Sequence, residues 1–231
     1  MPESRTASPE PSRPLRVVVF ASGRGSNFAA LIKAQRRDEL SIDIVALFSD
    51  RSTAPALELA RAAGIEAIAL KPRDYASRAD FDRAIFDRAA QLTPDLIVLA
   101  GFMRIIDPAV VAPWVGRMIN IHPSLLPKYP GLHTHARALE AGDAEHGSSV
   151  HYVTAELDGG PVVAQASLPI INGDTPESLA ARLLPLEHRL LVATVGLIAN
   201  GEIALRDNLV VRRGHALTAP LRLDADDHHL R

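Results

Sequence analysis

The chain has 231 residues, enough for one large α/β domain, and its 47% apolar content argues against wholesale disorder. A formal charge of −2 gives no basic face for nucleic acid, and the absence of cysteine excludes disulfides, thiolate nucleophiles and thiolate metal sites. The opening residues lack the apolar core of a signal peptide and no apolar run reaches bilayer-spanning length, so a cytoplasmic protein with no membrane partner is expected.

Residues 1–14 hold four prolines and three serines and cannot bury enough surface to offset their ordering entropy. They read as a disordered tail. Leu15–Ala21 (LRVVVFA) is a continuous β-branched run, expected of a strand covered on both faces. After a Gly-rich turn, Phe28–Arg37 carries Phe28, Leu31 and Ile32 at helical spacing. Ile42–Phe48 follows as a strand, Ala54–Ala63 as a helix stopping at Gly64, and Ile65–Leu70 as a third strand. Ser77–Gln91 puts Phe81, Ile85 and Ala89 on one helical face, and Asp95–Ala100 and Arg117–His122 read as strands. Strands alternating with helices imply right-handed crossovers and a mostly parallel sheet, an α/β fold.

Ser148–Ala155 and Pro161–Pro169 flank the turn Glu156-Leu157-Asp158-Gly159-Gly160. A long helix spans about Thr175 to Ala199, although Pro185 should kink it or interrupt its hydrogen bonds. Ile203–Leu205 and Leu209–Arg212 face each other across Asp207-Asn208, an expected antiparallel edge. The domain is therefore expected over 15–213, with a partly frayed polar tail over 214–231.

Three local features can carry chemistry. Ser22-Gly23-Arg24-Gly25-Ser26-Asn27 joins a buried strand to a helix, where free N–H groups and the dipole suit an anion. Phe28 stands where a dinucleotide fingerprint needs its third glycine, and no Walker lysine follows. Two readings stay open: a cradle for one phosphate, or a tight turn with a helix cap. Asn120 and His122 point to one face at the C-terminal end of a strand, where such sheets bind ligands and where both could donate to an oxyanion. Asp158 before Gly159-Gly160 is by itself an ordinary turn aspartate, but beside an imidazole it would favour the charged form.

Taken together, GRGSN, LAGFMRI, NIHPSLLPKYPG, HGSSVHYVTAELDGGPV and LEH resemble the glycinamide ribonucleotide formyltransferases of purine biosynthesis, from about Leu15 to Asn208. The resemblance implies a Rossmann-like three-layer fold with antiparallel additions in its C-terminal part. It also implies formyl transfer from the co-substrate 10-formyltetrahydrofolate to 5'-phosphoribosylglycinamide in IMP synthesis, without a metal. It makes Asn120, His122 and Asp158 the catalytic trio, with Asp158 keeping His122 charged. It assigns Gly25, Ser26 and Asn27 to the substrate phosphate and Glu187 to its ribose. Arg78, Met103, Arg104, Ile105, Ile106 and Asn120 become folate-binding, and residues 154–158 a loop over the pterin. A homodimer is compatible with all of this.

The main alternative is a formyltetrahydrofolate deformylase, which would use the same trio with water. A methionyl-tRNA formyltransferase would need a basic RNA-binding domain. A metal-dependent hydrolase could draw on His133, His135, His146 and His151, but their spacing resembles no zinc site. If the glycine loop holds a phosphate, a bulky residue at Gly25 should raise KM for a phosphorylated substrate. An unchanged KM in steady-state kinetics would leave the loop as a mere turn.

Overall fold

The computed structural model describes residues 13–224 and 229–231; residues 1–12 of the expected tail lie outside the described residues. Strand β1 (Leu15–Phe20) explains the architecture. Its alternate side chains Val17 and Val19 enter one core while Val18 and Phe20 enter another, so none of these four faces water. That is why residues 17–20 are apolar throughout rather than alternating.

Parallel neighbours flank β1 on both sides: β2 (Ile42–Ser49), itself paired with β3 (Glu66–Ala69), and β4 (Leu96–Leu99), paired with β5 (Met118–His122). Helices α1 (Ser26–Arg36) and α2 (Pro55–Ala63) cover one face with Phe28, Leu31 and Leu57. Gly64 ends α2 in the left-handed conformation, as its place in the sequence suggested. Helix α3 (Arg78–Ala90) covers the other face, and the expected stripe of Phe81, Ile85 and Ala89 is fully buried there. Phe20 stacks on Phe48 and Phe86 at 5.1 and 5.0 Å and meets Phe102 edge-on, which locks β1, β2 and α3 together.

After the four-residue helix α4 (Pro108–Val111) and β5, α5 (Thr134–Glu140) leads into β6 (Glu145–Tyr152) and β7 (Val162–Pro169). Both run antiparallel to their neighbours, against β5 and β6 respectively. β6 begins three residues before the expected Ser148 because His146, Ser148 and Ser149 are buried polar residues that give no apolar signal.

Helix α6 (Pro176–Ala199) is one continuous 24-residue helix. Pro185 removes a single N–H without breaking it. β8 (Ile203–Arg206) and β9 (Leu209–Arg212) form the expected antiparallel pair, turned by Asp207 and Asn208 at positive φ. The pair does not edge the main sheet, however. With β10 (His215–Ala216) it makes a separate three-stranded sheet, because Ile203 and Val210 pack into the core beside α6.

β11 (Leu221–Arg222), within the segment expected to be a frayed tail, pairs in parallel with β7 and buries Leu221. The main sheet therefore reads β11-β7-β6-β5-β4-β1-β2-β3. At the other terminus Arg13, inside the expected N-terminal tail, donates twice to Asp95 at 2.6 and 2.8 Å.

Leu190 of α6 is fully buried among these contacts. Leu190→Ala should cost about 2–5 kcal/mol of unfolding free energy, read as a lower urea midpoint at unchanged m. A midpoint equal to that of the parent chain would show that α6 is not part of the core.

Candidate active site

Register sets the site. Phe20 is level with Leu99, and Leu99 with Asn120, so the C-terminal ends of β1, β4 and β5 lie side by side within about 10 Å. Ser22 joins the first two ends. Its hydroxyl donates to Asp50 at 2.6 Å and accepts the Met103 N–H at 2.9 Å, while its own N–H donates to Gly101 O at 3.0 Å. The roles of Ser22 and Asp50 escaped the sequence reading, since a serine beside a glycine says nothing of buried partners elsewhere in the chain.

Gly25 has φ +75°, and a Cβ there would stand 2.7 Å from the Ala56 Cβ. The turn thus needs glycine both for its conformation and for its approach to α2. No side chain caps α1, so its first N–H groups, from Ser26 on, have no capping side-chain acceptor. Asn27 is buried and donates through Nδ2 to Glu187 Oε2 at 3.3 Å, which brings α6 to the glycine loop despite Pro185. Asn27 Oδ1 is buried with no hydrogen-bond partner. Burial pushes the Glu187 carboxyl above its ordinary range, against the Asn27 hydrogen bond.

The sheet's change of direction completes the constellation. Antiparallel pairing sets His151 of β6 directly opposite Asn120 of β5. His151 Nδ1 lies 3.0 Å from its acceptor Tyr152 O, so Nδ1 carries the proton and Nε2 can accept from Asn120 Nδ2 at 3.1 Å. By the same logic His122 Nε2 donates to Tyr129 O at 2.9 Å, leaving Nδ1 facing Asp158 Oδ2 at 3.5 Å. Asp158 Oδ1 is 3.6 Å from His151 Nε2, and Oδ2 accepts the Gly131 N–H at 2.8 Å.

One carboxylate therefore sits between two imidazoles. The turn that delivers it holds Asp158 at φ +51°, a conformation aspartate tolerates better than most residues. Gly160 must stay bare, because a Cβ would strike the Tyr152 carbonyl. His151 entered the sequence reading only as one of several histidines. The signal that would have placed it is strand register, which no local pattern supplies.

Burial lowers the His122 pKa, outweighing the Tyr129 carbonyl and Asp158, which both favour the charged form. Asp158 stays ionised. Burial pushes its pKa up, but His151, the Gly131 N–H and His122 bring it below the ordinary value.

The expected folate positions divide. Met103 and Ile105 are 66% and 55% exposed on the loop after β4, unusual for large apolar side chains, whereas Ile106 is packed into the core. Arg104 lies over the Phe81 ring at 4.5 Å with Nε 3.7 Å from Asp82 Oδ1, and buried Asp82 also accepts the Asp107 N–H. Arg78 is exposed at the start of α3, and Leu157 of the 154–158 turn is half-exposed.

Of the histidines weighed for a metal, His135 and His146 bond to each other at 2.9 Å. Among the described residues no cluster of three or more ligating side chains is arranged for a metal. A cavity of about 970 Å³ lies at the opposite ends of the strands, lined by Arg16, Asp95, Trp114 and Arg117. It is lined by no histidine and by none of the expected catalytic, phosphate or folate residues.

A parallel-centred sheet with amide, imidazole and carboxylate gathered at its C-terminal edge is the framework of a group-transfer enzyme. The family described as formyl transferase matches residues 15–195, and the chain belongs to it. The chain is 45% identical over 203 residues to the phosphoribosylglycinamide formyltransferase of Escherichia coli K12, covering 88% of this chain and 96% of that one. The structure of the Coxiella burnetii phosphoribosylglycinamide formyltransferase is similar, with a TM-score of 0.84 and 45% identity over 89% of this chain and 96% of that one. A formyltetrahydrofolate deformylase from Pseudomonas syringae superposes with a TM-score of 0.80 at 25% identity, over 87% of this chain and 66% of that one.

Burial beside His135 brings the His146 pKa down to about 4. The unfolded chain takes up that proton near the ordinary 6.5, so folding holds its full advantage above pH 6.5 and loses it as pH falls towards 4. His122 and His135 are shifted the same way. Stability should drop by about 3 kcal/mol from His146 alone across this window. Denaturation midpoints that stay flat between those pH values would refute the burial of neutral imidazoles.

Proposed function

We propose that the chain transfers the formyl group of 10-formyltetrahydrofolate to the amine of 5'-phosphoribosylglycinamide, the formylation step of cytoplasmic purine synthesis. The observation that carries this reading is the Asp158 carboxylate held between His122 and His151, with Asn120 beside them and the glycine loop two strands away.

In this reading Gly25, Ser26 and Asn27 receive the substrate phosphate at the start of α1, and Glu187 with the unpartnered Asn27 Oδ1 accepts from ribose hydroxyls. Met103 and Ile105 offer exposed apolar surface to the folate ring, Arg78 offers charge to its carboxylates, Arg104 over Phe81 and Ile106 in the core anchor the loop, and residues 154–158 close from the other side.

His122 takes a proton at Nδ1 from the attacking amine as the new carbon–nitrogen bond forms. Asp158 stabilises the imidazolium. The second N–H of Asn120 Nδ2 donates to the oxygen that gains the carbonyl electron pair. His122 then returns the proton to the folate nitrogen as the old carbon–nitrogen bond breaks. The proton balance closes, and no metal enters. All of these residues come from one chain, so the reading does not depend on a homodimer.

Hydrolysis by the same trio is the second reading. A deformylase has no use for a phosphate loop joined to a buried amide–carboxylate pair, and Asn27 with Glu187 therefore favours transfer. Purified protein with 10-formyltetrahydrofolate should release folate only when 5'-phosphoribosylglycinamide is present, and His122→Ala should lower kcat by about 10²–10⁴-fold. Release without any amine would make the chain a deformylase.

A further inference from the structure

Residues 100–107 run from β4 to α4 without helix or strand, and their side chains alternate. Phe102 and Ile106 are buried in the core with α3, while Met103 and Ile105 stand out in solvent. Burial of two more large apolar side chains would be favourable, so the backbone must be held for both to stay exposed.

A buried carboxylate holds each end. At the first end the Ser22 hydroxyl accepts the Met103 N–H at 2.9 Å and donates to Asp50 Oδ1 at 2.6 Å. A hydroxyl has one proton, so Asp50 fixes the Ser22 lone pairs towards Met103. The Ser22 N–H, donated to Gly101 O at 3.0 Å, ties the same two segments a second time.

At the other end Asp82 of α3 accepts the Asp107 N–H through Oδ2 at 3.0 Å, and its Oδ1 lies 3.7 Å from Arg104 Nε. Arg104 covers the Phe81 ring at 4.5 Å. Asp82 Oδ1 and Arg104 Nε are both buried without a hydrogen-bond partner, so each depends on the opposite charge beside it. Removing one member of such a pair leaves the other charge buried and uncompensated.

We propose that Ser22, Asp50 and Asp82 are positioning residues for the folate: two buried carboxylates clamp the ends of loop 100–107, so that Met103 and Ile105 form an apolar ledge before the coenzyme arrives. A ledge already formed spares the ordering cost of binding. The proposal deepens the reading above and rests on its placement of the folate against Met103 and Ile105.

Ser22→Ala removes the acceptor at Met103 and keeps the Ser22 N–H. Asp82→Asn keeps an oxygen for Asp107 and removes the charge facing Arg104. Each should raise KM for 10-formyltetrahydrofolate about tenfold, with kcat and KM for 5'-phosphoribosylglycinamide within about twofold of the parent. Titration calorimetry with an unreactive folate analogue alone should show the same loss of affinity. If Asp82→Asn does not fold, Ser22→Ala carries the test.

A folded variant of either kind with parent folate KM and parent analogue affinity would overturn the inference while the parent chain still transfers formyl. So would KM values that rise together for both substrates, or a lower kcat with both KM values unchanged, which marks a loss of active protein only. A parent chain that binds no folate analogue would instead remove the reading of this loop, and the inference with it.

Discussion

Everything at the site is arranged around a single buried anion. Asp158 is ionised although burial works against it, because the Gly131 N–H, His151 and His122 share its two oxygens. Take the carboxylate away and the imidazolium that the proposed proton transfer forms on His122 has no counter-charge beside it. Its delivery depends on backbone that few sequences accept: a left-handed aspartate followed by a glycine pressed against the Tyr152 carbonyl. Such strain persists when the rest of the fold over-determines it, and it commonly marks a working site.

The topology supplies that over-determination. β1, β4 and β5 run parallel, which aligns their C-terminal loops, and β6 then reverses direction against β5. The reversal has a chemical consequence. A parallel β6 would leave Asn120 without a facing partner of this kind, whereas antiparallel pairing puts His151 across from it and turns the chain back through 154–160 so that Asp158 enters from above the same strand end. Desolvation follows from the same packing. It opposes the charge on His122 that Asp158 and the Tyr129 carbonyl favour.

Much of this was legible beforehand, for identifiable reasons. β1 could be read because both its faces are buried, and α3 because Phe81, Ile85 and Ala89 repeat at helical spacing. Asn120 and His122 could be paired from strand alternation alone. The start of β6 could not, since its buried residues are serines, a histidine and a glycine. Nor could the partnership of Ser22 with Asp50 or of His151 with Asn120, because each joins segments whose adjacency exists only after the sheet has formed. How strongly burial opposes the charge on His122 could not be read for a related reason: a sequence reveals that a carboxylate is available but not how much water the fold removes. β11 was too short and too polar to signal that it would pair with β7.

The most direct test is a crystal structure of the chain with 5'-phosphoribosylglycinamide and an unreactive carbonyl analogue of the formyl folate. The account predicts the carbonyl oxygen within about 3.2 Å of Asn120 Nδ2, and the amine nitrogen as close to His122 Nδ1. A carbonyl bound away from both residues, or a phosphate seated elsewhere than at the turn of Gly25, would contradict it.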